Sequence, residues 1–325
     1  MGHAKTVSTF IILPFIILPH PSSRSAQQAV ATRNSSITAL TVTPSEREIL
    51  FGSQAGVFTQ PQIGRPIRAI ATELDHVHDL RFSPNGSLLS VAGGTPAEFG
   101  AVELWSWPER KLVRHLEGHD DLVYAVVWLG DGKTLVTGSA DRTVRVWEVE
   151  TGKEIAKLTG HSGPVLCLAV SPDGKLLCSG SSDQTIRVWD TTSWQLVRAM
   201  TNHLGPVHDL AFGTAQSEES REKLPSYLAS AGGDSTVRIW QPEVGRLVRI
   251  VRHPAPVYCL AWSSTGQLMS GAKDGQLRTI DADAGAIVQE EQISAGWLLS
   301  LALLRPAPMI VAGDSLGEIR IVRRE

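Results

Sequence analysis

The chain has 325 residues, of which 42% are hydrophobic and 19% charged, a composition typical of globular proteins rather than disordered or collagen-like ones. Thirty basic residues against 33 acidic ones give a net charge of −3, so no global basic field favours binding to nucleic acid. The presence of only three cysteines excludes a disulfide scaffold and a Cys₄ zinc site.

The first 25 residues have the layout of a secretory signal peptide. Lys5 precedes an uncharged run of 13 residues, Val7–Pro19, and a short polar stretch with small residues follows. The run is shorter than the roughly 20 residues that a membrane-spanning helix needs, and an uncleaved anchor stays the alternative. Small residues at positions −3 and −1 allow cleavage after Ser25 or after Ala31. We therefore expect a protein exported to the periplasm, the cell surface or the medium, without a membrane span once residues 1–25 are removed.

The rest of the chain is a series of repeats. Seven segments with the period-2 alternation of a β-strand are spaced 40, 46, 42, 42, 50 and 41 residues apart and open at Ile37, Val77, Val123, Val165, Val207, Val257 and Leu298. Most are followed by a turn signal such as Ser171-Pro172-Asp173-Gly174, in which proline fixes φ and glycine takes a positive φ. Each unit then supplies a second strand, a third such as VRVW and a weaker fourth, with no helical stretch between them. The pattern predicts four strands in each of seven units.

Over residues 37–325 the sequence resembles the WD40 family. The resemblance rests on the pairs Gly118-His119 and Gly160-His161 before a first strand, and on Trp189-Asp190 at the end of a third strand. It implies an all-β fold over residues 26–325, a seven-bladed propeller of four-stranded antiparallel blades. In this family the N-terminus usually supplies the outer strand of the last blade, and here the candidate is the segment Gln27–Arg33. Because cleavage after Ala31 would remove most of that segment, we favour the cut after Ser25.

The resemblance also implies buried hydrogen-bonded tetrads of His, Ser or Thr, Asp and Trp. Carried over by position, they are His119, Thr137, Asp141 and Trp147; His161, Ser179, Asp183 and Trp189; and His203, Ser230, Asp234 and Trp240. Ser, His and Asp together could also form a hydrolase triad, but three copies at similar spacing favour an architectural role. The sixth repeat departs from the pattern because Ile280 replaces the Trp, and the second has Glu73 at the His position.

Other motifs give weaker signals. Gly313–Gly317 fits the G-x-S-x-G nucleophile elbow, but the predicted turn joins two strands, whereas the elbow requires a strand followed by a helix. His76 and His78 could face one metal ion, but no third ligand is identifiable nearby. Cys167 and Cys178 lie on neighbouring predicted strands, so a disulfide stays open, although directly paired strands fit disulfide geometry poorly. We expect no cofactor, no metal and no catalytic site.

A binding surface is the remaining candidate for function. In WD40 propellers, partners usually dock on the face formed by the loops that lead into the first strands and the loops that join the second and third strands. The residues expected on this face are His76, His78, Leu122, Tyr124, Leu166, His208, Tyr258, Lys273, Trp297 and Leu299. Aromatic residues are enriched in binding hot spots, and exposed apolar patches usually mark contact sites. His78 and His208 allow a pH test, because unperturbed histidines charge near pH 6.5: binding that weakens between about pH 7.5 and 5.5 would implicate them, and constant binding would confine their role to shape.

Two classes of function follow. The first is a monomeric, non-catalytic, exported scaffold that binds one or more proteins through this face. The second is an exported propeller enzyme or small-ligand binder that acts at the central channel, where Asp79 and Asp209 are the available acids.

Overall fold

The computed structural model describes residues 35–45, 48–61, 68–214, 226–263, 266–304 and 309–323, which form 27 β-strands. These strands make seven antiparallel sheets, here called blades 1 to 7 in chain order. Within the described ranges there is no helix, and hence none long and apolar enough to cross a membrane.

Among the described residues, each blade takes its strands from one continuous part of the chain. Blade 1 contains β1 (Ala39–Val42), β2 (Glu48–Ser53), β3 (Gly56–Pro61) and β4 (Arg68–Ile70). Blade 2 contains β5 (Asp79–Phe82), β6 (Leu88–Thr95), β7 (Phe99–Ser106) and β8 (Lys111–His119). Blade 3 contains β9 (Val123–Trp128), β10 (Thr134–Ser139), β11 (Val144–Glu148) and β12 (Lys153–Leu158). Blade 4 contains β13 (Val165–Val170), β14 (Leu176–Ser181), β15 (Ile186–Asp190) and β16 (Leu196–Met200).

The remaining three blades follow the same order. Blade 5 contains β17 (Val207–Thr214), β18 (Ser226–Gly232), β19 (Thr236–Gln241) and β20 (Arg246–Arg252). Blade 6 contains β21 (Val257–Trp262), β22 (Leu268–Ala272), β23 (Gln276–Asp281) and β24 (Ala286–Gln292). Blade 7 contains β25 (Leu298–Leu304), β26 (Met309–Asp314) and β27 (Ile319–Arg323). The predicted closing strand Gln27–Arg33 and signal peptide 1–25 lie outside the described residues.

Blade 4 illustrates why these sequences form such sheets. The turn after β13 is closed by Ser171 and Asp173, whose side chains bond to each other at 2.6 Å, and Gly174 completes it with φ of 73°. The second and third strands are buried on both faces between neighbouring blades, whereas β16 lies at the outer edge and is largely exposed. The gradient from buried inner strands to an exposed outer strand explains why the fourth strand has the weakest sequence pattern.

The seven blades close into a ring. First strands of consecutive blades pack against one another all the way round, and β25 of blade 7 packs against β1 of blade 1. At this junction the Ile37 amide donates to the Asp314 carbonyl at 3.0 Å, and Ile37 packs with Phe51 and Val311 in one buried cluster. The prediction of an all-β, seven-bladed antiparallel propeller is confirmed, with three strands of blade 7 among the described residues.

The cysteines are buried thiols. Cys167 pairs with Gly180, and Cys178 pairs with Ala169, so the two cysteines are not cross-strand partners. Both are free, as is Cys259. The disulfide left open by the sequence is therefore absent, and the thiols serve as small packing groups.

Candidate functional site

Buried hydrogen-bonded chains tie the strands of blades 3, 4 and 5 together. In blade 4 the Trp189 indole donates to the Ser179 hydroxyl at 2.9 Å, and that hydroxyl bonds to His161 Nε2 at 2.8 Å. His161 Nδ1 lies 2.9 Å from Asp183 Oδ2. The same chain recurs in blade 3 and blade 5 at distances of 2.7 to 3.0 Å, through His119, Thr137, Asp141 and Trp147, and through His203, Ser230, Asp234 and Trp240.

The electrostatics of these chains favour neutral histidines bonded to ionised carboxylates. Burial lowers the pKa of His161 below its ordinary value, although Asp183 opposes the shift. Burial alone would raise the pKa of Asp183, but hydrogen bonds from Thr185, His161 and Ser162 outweigh it and lower that pKa to about 2. Each polar group in the chain is satisfied, as a buried network requires.

A hydrolytic role does not fit this geometry. The Ser179 hydroxyl is completely buried, accepts a hydrogen bond from Trp189 and bonds to His161, so it faces no space that a substrate could occupy. The sequence motif at Gly313–Gly317 is likewise a turn between β26 and β27, in which Ser315 Oγ accepts a hydrogen bond from the Trp297 amide at 3.0 Å. Neither arrangement presents a nucleophile beside a base and a vacant cleft.

The other blades replace the tetrad with different polar contacts. In blade 6, His253 still reaches Ser270 at 2.9 Å, but Asp274 turns to the buried Arg278, at 2.6 Å. In blade 2 the buried Glu103 accepts the Trp105 indole N–H at 2.8 Å and the backbone amide of residue 73, also at 2.8 Å. A tetrad is therefore one of several ways in which this chain satisfies polar groups between strands.

The face that carries the loops into each first strand, and the loops between second and third strands, is here called the top face. On blades 5 to 7 it bears a continuous series of ring contacts. The rings of His208 and Tyr258 lie 4.8 Å apart, and Tyr258 stacks on Trp297 at 5.7 Å with an interplanar angle of 17°. The Lys273 ammonium lies over the Trp297 ring at 4.6 Å. Three consecutive blades thus contribute to one preassembled aromatic group.

A second ring contact lies on blades 2 and 3. His78 meets Tyr124 edge-on at 4.7 Å, and both residues are half-buried beside the channel mouth. His76, in the loop before β5, is also half-buried and close enough to His78 for their charges to interact. The structure therefore places predicted surface residues in two aromatic groups separated by the channel mouth.

One sequence-based expectation about this face needs correction. Leu122 directly precedes β9 but is only 6% exposed, so it belongs to the core, whereas Leu166 and Leu299 are partly exposed. Burial lowers the pKa of both His78 and His208 to about 4, assisted by the charges of other histidines. Both rings are consequently neutral through pH 7.5 to 5.5, so protonation of these two histidines gives no reason for binding to weaken over that range.

Sequence reasoning also missed three exposed apolar side chains on the top face. Leu204 is 81% exposed in the loop before β17, and Leu316 is 50% exposed in the turn beside Trp297. Phe99 is 42% exposed at the start of β7. Leu204 immediately follows a tetrad histidine, where blades 3 and 4 have Asp120 and Ser162, and this apolar substitution was the available signal.

The channel acids form bridges between blades. Asp79 accepts the Val126 amide of the next blade at 3.0 Å, and Asp209 accepts the Leu260 amide at 2.8 Å. Burial raises the pKa of Asp209 to about 6, while Asp79 pairs with Arg81 at 3.2 Å. Both acids are used to join first strands, which weakens the case for an acid–base pair in the channel. In the described part of the chain, no three His, Cys, Asp or Glu side chains converge as a metal site would require.

Comparison with known proteins places these features in context. The family model described as "WD domain, G-beta repeat" matches four segments, residues 110–148, 152–190, 194–241 and 245–281, which together cover about half of the chain. Similar curated proteins include the Danio rerio intraflagellar transport protein 122 homolog, with 36% identity over 88 residues, covering 24% of this chain and 7% of that protein. The Xenopus tropicalis WD repeat-containing protein 1 is 35% identical over 89 residues, covering 26% of this chain and 14% of the relative. Coronin-7 of Rattus norvegicus is 36% identical over 69 residues, covering 21% and 7% respectively. The matches thus span only a small part of these relatives.

Proposed function

Because the chain belongs to the WD40 repeat family, we propose that it is a non-catalytic scaffold that binds a protein partner through its top face. The observation that supports this most directly is the stacked pair of Tyr258 and Trp297, with the Lys273 ammonium over the Trp297 ring. A stacked pair of rings presented at the channel mouth offers a large, rigid contact area with little conformational entropy to lose on binding.

Four of the twelve exposed large apolar side chains in the described residues lie on the top face and add support. Phe99, Leu204, Trp297 and Leu316 are each at least 42% exposed and all lie on top-face loops or at the adjoining strand ends. Isolated exposed apolar residues are ordinary, but those on blades 5 to 7 accompany a stacked aromatic pair. The carboxylates of the channel, by contrast, already accept hydrogen bonds between blades. Binding of a partner at the top face therefore explains more of the observed features than a reaction in the channel does.

We also propose that this scaffold is exported and acts as a monomer. Export rests on the charge of Lys5 and the uncharged run Val7–Pro19, which precede the described residues. N-terminal sequencing of the mature protein should find a chain that begins near residue 26. An intact Met1 in the soluble cytoplasmic fraction would contradict export, and a dimeric mass in solution would contradict the monomer.

Affinity capture tests the docking surface. The chain with Tyr124→Ala, Tyr258→Ala and Trp297→Ala should retain its fold but lose the captured partner, since each hot-spot truncation costs about 2 kcal/mol or more, roughly 30-fold in affinity. The matched control carries Glu109→Ala, Glu150→Ala and Val244→Ala, three exposed residues in loops of the opposite face. If the partner were still captured after the aromatic substitutions and lost in the control, the docking surface would lie on the opposite face and the proposal would be wrong.

A further inference from the structure

The top face has two chemically different sectors on opposite sides of the channel mouth. The first, called the apolar strip, consists of Leu204, Tyr258, Trp297 and Leu316 on blades 5, 6 and 7. Lys273 is the charged residue at its centre, and the ion pairs of the described residues do not include its ammonium. The strip therefore presents apolar surface around the Lys273 ammonium, and the exposed Glu318 in the same turn as Leu316 is paired with Arg320.

The second sector, called the acidic rim, consists of Glu73, Asp75, Glu98 and Asp120. All four are exposed and lie in the loops that surround the first strands of blades 2 and 3. Hydrogen bonds hold these loops side by side: Thr95 Oγ1 donates to Asp75 at 3.4 Å, and the Ala97 amide donates to Asp121 at 2.8 Å. The carboxylates are thus kept within one neighbourhood.

Little positive charge neutralises the acidic rim. Asp120 is 84% exposed in its side chain, and its ion-pair partner Arg145 lies 3.8 Å away and is largely buried. Arg142 is an exposed cation in the adjoining turn, and none of the ion pairs among the described residues joins it to a carboxylate of the rim. Because solvent and salt screen such charges beyond about 10 Å, their effect is local to a ligand that touches the rim. A complementary ligand carries positive charge here and apolar groups at the strip.

On the basis of the protein-binding role proposed above, we propose that the top face binds an extended polypeptide segment across the channel mouth. The segment places apolar side chains on the apolar strip and a Lys or Arg side chain on the acidic rim. An extended chain advances about 3.3 Å per residue, so a segment of 12 residues spans about 40 Å and does not need a continuous contact surface between the sectors. Neutral His78 and His208, which lie between the sectors, add no opposing positive charge near neutral pH.

A peptide-display library of random 12-residue peptides, panned on the immobilised full chain, tests this proposal. Enriched peptides should share a basic residue and an apolar residue at a fixed separation. Synthetic copies should bind about tenfold or more weakly to the chain with Glu98→Lys and Asp120→Lys, and likewise to the chain with Leu204→Ser and Leu316→Ser. The matched charge control is Glu109→Lys with Glu150→Lys, on exposed loops of the opposite face, and it should leave binding unchanged.

Three results would overturn the proposal: no enriched peptide, enriched peptides without a basic residue, or equal weakening by the control charge reversals. If the cellular partner is still captured by the top face while no peptide is enriched, the scaffold function stands and the extended segment is wrong. If neither is bound, both proposals fail. Circular dichroism of each variant, with a melting temperature near that of the parent chain, ensures that a loss reports binding rather than unfolding.

Discussion

Removal of the Asp183 carboxylate tests the tetrads as buried structural networks. Its Oδ2 accepts from His161 Nδ1 and the Ser162 amide, both at 2.9 Å, and its Oδ1 accepts from the Thr185 amide at 3.0 Å and hydroxyl at 2.7 Å. The carboxylate is 6% exposed, so water cannot fully replace it. A buried donor left without an acceptor costs about 1–3 kcal/mol, and several donors lose their acceptor here. We expect Asp183→Ala to lower the free energy of unfolding by about 3 kcal/mol.

Asp173→Ala is the matched control. Asp173 accepts from Ser171 Oγ at 2.6 Å and from the Lys175 amide at 3.1 Å, but its side chain is 44% exposed and water can take over both bonds. The loss should be below about 1 kcal/mol. Urea denaturation of the parent chain and both variants, followed by tryptophan fluorescence and circular dichroism, gives the two differences. Equal destabilisation would refute the assignment of Asp183 to a buried network.

Three further predictions address ring closure and pH. Gly313→Val should destabilise the junction of blades 7 and 1, because an added Cβ would lie 2.5 Å from the Ile37 side chain, while Gly130→Val, with open space around it, should melt close to the parent chain; equal melting temperatures would contradict this. The free energy of unfolding should fall as pH drops below about 6.5, because burial keeps the histidines of lowered pKa unprotonated in the fold while they take up protons in the unfolded chain. His78, His208 and His253, whose pKa falls to about 4, each contribute up to about 1.4 kcal/mol per pH unit to this loss, and the raised pKa of Asp209 opposes it. A free energy of unfolding that does not change between pH 7 and 5 would contradict the lowered pKa values of six histidines. These are His78, His119, His161, His203, His208 and His253. Protonation of His78 or His208 should not weaken partner affinity between pH 7.5 and 5.5, because both charge only near pH 4, whereas Asp209, with a pKa of about 6, titrates in that range but is bonded to the Leu260 amide of the next blade. Titration calorimetry that shows weaker binding at pH 5.5 in the parent chain, and no such change in a chain with His78→Gln and His208→Gln, would contradict that.

The fold could be predicted from the sequence because its rules act over short distances and repeat. Period-2 alternation and turns such as Ser171–Gly174 define hairpins, and a spacing near 42 residues places each hairpin in a separate blade. The strands begin where predicted in blades 3 to 7, at Val123 for example, and two residues later, at Ala39 and Asp79, in blades 1 and 2. Blades 6 and 7 lack complete tetrads and still begin as predicted, so the alternation of the first strand, rather than the tetrad, is the signal that places it.

The top face was harder to predict because it depends on loop geometry. Leu122 precedes a strand at a point where the chain turns, so alternation does not determine the direction of its side chain. Leu204 and Leu316 lie in loops with no periodic pattern, and their exposure follows from how neighbouring blades pack. The pKa values of His78 and His208 depend on burial between blades, which the sequence of one repeat does not contain.

Site-specific photocrosslinking tests most directly whether the partner docks on the top face. A benzoylphenylalanine replaces Leu316, which is 50% exposed on the top face, or Val244, which is 65% exposed in a loop of the opposite face. Both positions hold an exposed apolar residue in a loop, so the two crosslinking variants differ mainly in the face that carries the reactive group. We expect the partner to be crosslinked from position 316 and not from position 244. Crosslinking from position 244 alone would contradict the top face as the docking surface.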